Sequence, residues 1–332
     1  MLQSENTYSP TGTVMERTRP VIALVVPCYN EQEVLPSTAA ILGELLDTML
    51  KNEMISDRSF VMFVNDGSRD NTWQIITTLH SGDKRFKGLS LAHNRGQQAA
   101  MLAGLMTVRE MSDAAITIDA DMQDTPEAAI EMVEKFRQGA DIVYGVRASR
   151  STDSWFKRSS ARAFYSLQQH MGLETIYDHS EFRLMDRKAL DILAQYGENN
   201  LYLRGIMPNI GLRSDIVTYD RAPRTAGVTK YTFGKLLAVS IDGITSFTAR
   251  PMRLIFSVGS FMLLADIVVA VWVLVSHFQG RAISGWSSLM LSVWFLGSLV
   301  LIALGIIGEY IGKIYVEVKH RPRYNIAEKL ID

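Results

Sequence analysis

Residues Ala115 to Pro126, AITIDADMQDTP, decide how the rest of the chain is read. The apolar, β-branched opening predicts a short buried strand, and that strand empties into Asp119, Asp121 and Asp124, with Gln123 among them. Alternation along an extended segment sends Asp119 and Asp121 to one side, where two carboxylates repel unless a cation or a donor stands between them. Oxygen ligands with no His or Cys nearby suit Mg²⁺ or Mn²⁺ better than zinc, and such a metal normally keeps waters and grips phosphate oxygens. The same letters also fit a solvated acidic loop in which Asp124 or Thr125 caps a helix that Pro126 opens.

The neighbouring segments decide between these readings. Val21 to Val26, VIALVV, reads as a strand covered on both faces; it ends in Pro27-Cys28-Tyr29-Asn30-Glu31, and Val34 to Leu50 follows at helical spacing. Phe60 to Val64 repeats the pattern and ends in Asn65-Asp66-Gly67-Ser68-Arg69-Asp70-Asn71-Thr72, ahead of a helix from about Trp73. Leu89 to Ala92 is a third strand, followed by His93 to Gln98 and a helix through Met111. A helix over Glu127 to Arg137 leads to a fifth strand at Asp141 to Tyr144. Regular βα alternation predicts an α/β fold with a doubly wound, mostly parallel sheet, whose loops gather at the strands' C-terminal edge. Asp66 suits a turn or a ligand site at such an edge. The acidic loops then share one crevice, which favours the metal reading of Asp119 and Asp121.

Composition sets outer bounds. The chain has 332 residues, 47% of them hydrophobic, which suffices for a sizeable core and an appendage. A formal charge of −1 gives no argument for nucleic acid as a partner. The single cysteine, Cys28, excludes an internal disulfide framework and reads as a small buried thiol. Residues 1–20 are polar and lack the order of a signal peptide, so a disordered tail and a cytoplasmic domain are expected.

Beyond Gly145 the chain turns basic, with Arg147, Arg150, Lys157, Arg158 and Arg162. These suit a solvated helix face, or partners for a second phosphate, because a guanidinium matches phosphate oxygens with a planar fork. Tyr177 to Arg187, YDHSEFRLMDR, mixes Asp178, His179 and Glu181 with an apolar Phe182, Leu184, Met185 pattern. Arg221 to Tyr231 is a basic loop, and Thr232 to Thr248 is amphipathic enough to lie at a membrane interface. Leu254 to His277 and Leu289 to Gly308 are each long and apolar enough to span a bilayer. Arg250 and Arg253 before the first span, and Lys313, Lys319, Arg321 and Arg323 after the second, orient the large domain and the tail to the cytoplasm. Asp266 reads as a packing contact, and with Gly297, Gly305 and Gly308 it permits a homo-oligomer. The expected organisation is a tail (1–20), a catalytic domain (21–228), juxtamembrane amphipathic helices (229–251), a two-helix transmembrane hairpin (252–310) and a basic cytoplasmic tail (311–332).

The set Val26 to Glu31, Asn65 to Asp70, Asn94-Arg95-Gly96, Asp119 to Asp124, Phe182 to Met185 and Arg224 to Tyr231 resembles the family-2 glycosyltransferases of GT-A fold. More narrowly it resembles the polyprenyl-phosphate glycosyltransferases, which include bactoprenol glucosyltransferases and dolichyl-phosphate mannose synthases. The resemblance implies that Pro27, Tyr29, Glu31, Asp66 and Ser68 hold the nucleotide sugar, with Arg224 and Lys230 closing over it or meeting anionic lipid. It implies that Asp121 and Gln123, with Asp119 beside them, face a Mg²⁺ or Mn²⁺. Arg147, assisted by Arg158 or Arg162, falls where the acceptor phosphate is held. Asp119, Glu181 and Arg147 are the implied catalytic residues. Related sequences read Gly-Asp-Phe-Arg-Leu where this chain has Ser180-Glu181-Phe182-Arg183-Leu184, one methylene longer at the acid.

The implied reaction moves a hexose, glucose from UDP-glucose by resemblance, to undecaprenyl phosphate with inversion. GDP-mannose, UDP-N-acetylglucosamine and an aminoarabinose donor serve similar proteins. A phosphate monoester is largely ionised at pH 7, so Glu181 is needed less as a base than as an orienting group. The implied setting is a multi-pass protein of the inner (plasma) membrane, whose lipid-linked product passes to a flippase and a further glycosyltransferase of the cell envelope. A processive polysaccharide synthase would carry Gln-x-x-Arg-Trp, and no tryptophan here follows an arginine. A non-catalytic adaptor that binds nucleotide sugar is the remaining rival; the intact Asp66, Asp119 and Asp121 speak against it.

Overall fold

The computed structural model describes residues 18–147, 179–198, 203–220, scattered positions between 255 and 279, and 285–332. One eight-stranded sheet organises them, in the order β7-β5-β6-β4-β1-β2-β3-β8. The strands are β1 (Ile22–Cys28), β2 (Phe60–Asn65), β3 (Phe86–Leu91), β4 (Ala114–Thr117), β5 (Ile142–Arg147), β6 (His179–Asp186), β7 (Ser214–Tyr219) and β8 (Ile326–Leu330). Parallel pairing of β1 with β2 and β4, of β2 with β3 and of β5 with β7 sets a common direction. Only β6 and β8 run against it.

Period-two alternation assigns the two faces of the sheet. Ile22, Leu24 and Val26 pack under α1 (Leu35–Lys51), α2 (Thr72–Gly82) and α4 (Ala128–Arg137) through Leu42, Leu46, Ile76, Met132 and Phe136. Val21, Ala23 and Val25 face the opposite layer, α3 (Gln97–Val108), α5 (Arg187–Leu193) and α6 (Leu203–Ile206), through Leu102, Leu105, Leu190, Leu193 and Ile206. Burial on both sides explains why β1 carries no polar side chain: every residue from Ile22 to Val26 is fully enclosed.

Several boundaries and two strands depart from the sequence reading. β3 begins at Phe86, because the chain enters the sheet through a partly exposed Lys87 that hides the strand pattern. β5 continues past Tyr144 to Arg147, held by pairing with β7. The mixed segment at 179–186 is an antiparallel strand between β4 and β5, with Thr117 opposite Arg183. Its reversed direction brings its N-terminal end, and Glu181, to the edge where the parallel strands end. The basic C-terminal tail also contributes a strand: β8 pairs antiparallel with β3, Leu330 against Gly88.

A single helix among the described residues, α7 (Trp286–Val318), is long and apolar enough to cross a membrane, over Phe295–Val318. Its Val300, Leu301, Ile302 and Leu304 are exposed, so no described part of the protein covers them. The expected second span, Leu289 to Gly308, lies within α7, which runs on to Val318. The expected first span at 254–277, the juxtamembrane stretch, Asp266 and the tail at 1–17 lie outside the described residues, apart from scattered positions in that span.

Candidate active site

The ends of β1 and β2 are laced together before any ligand enters. Asp66 N–H donates to Cys28 O at 2.9 Å, Glu31 N–H to Thr72 Oγ1 at 2.9 Å, and Arg69 N–H to Asn30 Oδ1 at 2.9 Å. Asn30 takes a left-handed conformation, with φ of 55°, and its N–H donates to Ser68 Oγ at 3.0 Å. Asp70 closes the turn, accepting from the Thr72 hydroxyl at 2.6 Å and from Gln32 N–H at 3.2 Å.

Asp66 is buried, and its two oxygens accept from Arg95 N–H at 2.7 Å and Gly96 N–H at 2.9 Å. Burial pushes its carboxyl above the usual range, against the lowering effect of those two amides. Gly67, at φ of 61°, presses on the backbone of His93 and Asn94; a Cβ there would fall 2.5 Å from Asn94 N. The β2 loop therefore sets the course of the chain into α3.

A turn, rather than an extended segment, carries Asp119 to Gln123. β4 stops at Thr117, Met122 N–H donates to Asp119 O at 3.2 Å, and Met122 has φ of 48°. The three carboxylates then divide. Asp124 is buried and accepts from the Tyr219 hydroxyl at 2.7 Å, while Thr125 donates to Asp220 O at 2.6 Å, so neither side chain caps α4. Asp119 and Asp121 face a cavity of about 370 Å³ that is also lined by Pro27, Tyr29, Glu31 and Asp66. Gln123 is buried beside them, and its N–H donates to Asp121 Oδ1 at 3.3 Å. Burial, then the charges of Asp124, Asp121 and Glu181, push Asp119 up to about 7, with Arg204 opposing.

Four polar residues of this site escaped the sequence reading of roles. Gln97 donates through Nε2 to Asp119 Oδ1 at 2.8 Å and lines the same cavity. Gln98 donates through Nε2 to Glu181 Oε1 at 3.0 Å, and its own Oε1 accepts Leu203 N–H at 3.2 Å. Arg204 Nε reaches Glu181 Oε1 at 2.7 Å, and Arg183, the largest fully buried side chain, donates to Glu181 Oε2. Burial would raise the Glu181 carboxyl, but Arg183, Arg204 and Gln98 together hold it below its ordinary value. Glu181 is thus a clamped carboxylate; no free acid stands at this position.

The sequence-predicted site residues separate accordingly. Pro27, Tyr29, Glu31, Asp66, Asp119 and Asp121 meet around one cavity. Ser68 braces the Asn30 turn. Arg147 ends β5, with its side chain outside the described residues, as are Arg158, Arg162, Arg224 and Lys230. Cys28 lines the cavity wall, and burial pushes its thiol far up, so it is no nucleophile.

A family model described as glycosyl transferase family 2 matches residues 23–208, which takes in every element that frames the cavity. The chain belongs to glycosyl transferase family 2. The transferase is 44% identical over 312 residues to an uncharacterized glycosyltransferase, YkoT, of Bacillus subtilis, covering 94% of this chain and 93% of that one. It is 38% identical over 310 residues to the bactoprenol glucosyl transferase of Shigella phage SfV, covering 93% and 98%. It is 37% identical over 307 residues to a prophage bactoprenol glucosyl transferase homolog of Escherichia coli, covering 92% and 98%. A glycosyltransferase thus has its acidic crevice at the edge of a mixed α/β sheet, and a helix fit to cross a membrane in the same chain.

Proposed function

We propose that this transferase moves a hexose, glucose from UDP-glucose in the first instance, onto polyprenyl phosphate with inversion, giving a lipid-linked sugar for the cell envelope. One observation carries the reading: Asp66, Asp119 and Asp121 open onto one cavity with the β1 loop, in a chain that also presents an exposed apolar helix. Similarity to bactoprenol glucosyl transferases supports the acceptor and the sugar.

The nucleotide rests against Pro27, Tyr29, Glu31 and Asp66, whose loops are already fixed to each other. Asp119 and Asp121, with Gln123 beside them, would hold a Mg²⁺ or Mn²⁺; an all-oxygen set in which crowding already resists a second negative charge fits such an ion. Bound there, the ion would supply positive charge to the leaving diphosphate. The acceptor phosphate is ionised at neutral pH, so its oxygen attacks the anomeric carbon without a protein base, the bond to the diphosphate oxygen breaks, and the configuration inverts. Glu181, held by two guanidiniums, serves as an orienting group and not as a base. Arg147, Arg158 and Arg162 receive the acceptor phosphate, and Arg224 and Lys230 close over the donor. The helix α7 and a second span at 254–277 anchor a multi-pass inner-membrane protein with its catalytic domain in the cytoplasm.

Radiolabelled nucleotide sugars offered in turn with undecaprenyl phosphate, with Mn²⁺, Mg²⁺ or chelator, test the proposal. Metal-dependent label in the lipid phase from one donor supports it. Donor binding with no transfer from any sugar would leave a nucleotide-sugar adaptor.

A further inference from the structure

Gln97 and Gln98 are consecutive, yet they belong to two cavities. Gln97 faces the acidic crevice; Gln98 forms a wall of a second cavity, about 410 Å³, on the other side of the α3 N-terminus. That second cavity is lined by Arg95, Arg321 and Arg323, with Leu102 and Val316 as its apolar wall. No carboxylate lines it, and among the described residues none of the three guanidiniums is ion-paired with one.

The fold gathers cations that lie far apart in sequence. β8 pairs with β3, and Ala92 N–H donates to Asn325 O at 2.9 Å, which clamps the 321–325 segment beside Arg95. Arg323 is anchored on Tyr196 O, while Arg95 and Arg321 stay exposed. Val316 and Arg321 flank the C-terminal end of α7, the helix fit to cross a membrane. Three like charges drawn together at a membrane helix's end repel one another unless an anion joins them, and the adjacent Leu102 and Val316 offer contact to methylenes.

We infer that this basic cavity is a docking site for a lipid phosphate, separated from the sugar-donor crevice by the Gln97-Gln98 pair. The occupant is the polyprenyl phosphate of the proposed reaction, held here at the membrane face before its phosphate passes to Arg147 and the donor crevice; in that respect the inference rests on the proposed function. A phospholipid headgroup presents the same chemistry.

The test uses the full chain in phosphatidylcholine nanodiscs and the variant Arg95→Gln/Arg321→Gln. Loss of two guanidiniums is expected to raise the KM for undecaprenyl phosphate about ten-fold with the donor KM unchanged, and Arg95→Lys/Arg321→Lys is expected to keep part of the affinity. A second arm measures binding of fluorescent phosphatidylglycerol without turnover. Weaker phosphatidylglycerol binding with an unchanged acceptor KM identifies the headgroup as occupant. No change in either arm, or a change in donor KM alone, overturns the inference. A wild-type protein that glycosylates no polyprenyl phosphate would defeat the proposed reaction instead, and the phosphatidylglycerol arm would still decide this site.

Discussion

Arg204 Nε lies 2.7 Å from Glu181 Oε1, and Arg183 holds the other oxygen of the same carboxylate. Glu181 and Arg183 are both buried, so each is the other's main compensation for lost hydration. Replacing Glu181 by Ala leaves the Arg183 guanidinium enclosed without that carboxylate. Denaturant unfolding of Glu181→Ala is expected to show a loss of about 3–5 kcal/mol. The double variant Glu181→Ala/Arg183→Met should recover part of it, because both charges then leave together. An unchanged midpoint in the single variant would contradict the coupling.

The same pair gives stability a pH dependence. The folded Glu181 carboxyl sits below its ordinary value of 4.5, so its contribution is fully present above that value and is lost as pH falls through the folded-state value. Thermal midpoints of the wild type should therefore fall with acidity below about pH 4.5. Glu181→Gln cannot titrate there, and its midpoints should fall less steeply over the same window.

Asp66 serves the site through the backbone it receives. Asp66→Ala strips two amides, Arg95 N–H and Gly96 N–H, of their acceptor at the entrance to α3. A cost of about 1–3 kcal/mol is expected for leaving such donors unpaired. Gln97 and Gln98 follow directly, so their grip on Asp119 and Glu181 should loosen and kcat should fall. Hydrogen exchange at residues 95–98, faster in the variant than in the wild type, would report the cause.

Asp121 faces the cavity, whereas Asp124 is buried as the acceptor of the Tyr219 hydroxyl. Asp121→Ala is expected to reduce sugar transfer on the order of 100-fold while leaving the unfolding midpoint close to wild type. Asp124→Ala is expected to behave oppositely, with the larger loss in stability, since it removes a buried carboxylate that accepts the Tyr219 hydroxyl. Equal effects in both assays would mean that the two carboxylates do not divide as the turn suggests.

The legible parts of this chain were those whose environment is uniform. β1, β2 and β4 are enclosed on both faces, so their aliphatic runs announce themselves, and the loops that follow them carry the acids that meet at Asp66, Asp119 and Asp121. β6 was opaque because it buries Glu181 and Arg183, which break the apolar pattern and make sense only beside Gln98 and Arg204 from distant segments. Gln97 and Gln98 look like ordinary helix-start residues until the carboxylates they meet are in place. β8 was hidden because it is an edge strand in which Glu328 and Lys329 are both exposed, so its charges read as tail.

That edge strand supports a last prediction. β8 covers the outer side of β3, with Leu330 packed on the core, Trp73 Nε1 donating to Glu328 Oε2 at 3.1 Å and Lys87 Nζ to Ile331 O at 2.5 Å. Truncation after Tyr324 would remove this cover and leave the amides and carbonyls of β3 as a free edge, an invitation to pair with another chain. It would also release the clamp at Ala92 and Asn325 that holds Arg321 and Arg323 next to Arg95. The truncated protein is expected to aggregate at concentrations where the full chain stays dispersed, as read by size-exclusion chromatography in detergent. Replacing Leu330 by Asp keeps the chain length and should lower the unfolding midpoint without exposing the whole edge. A truncated protein as monodisperse and as stable as the full chain would show that β8 is dispensable to the sheet.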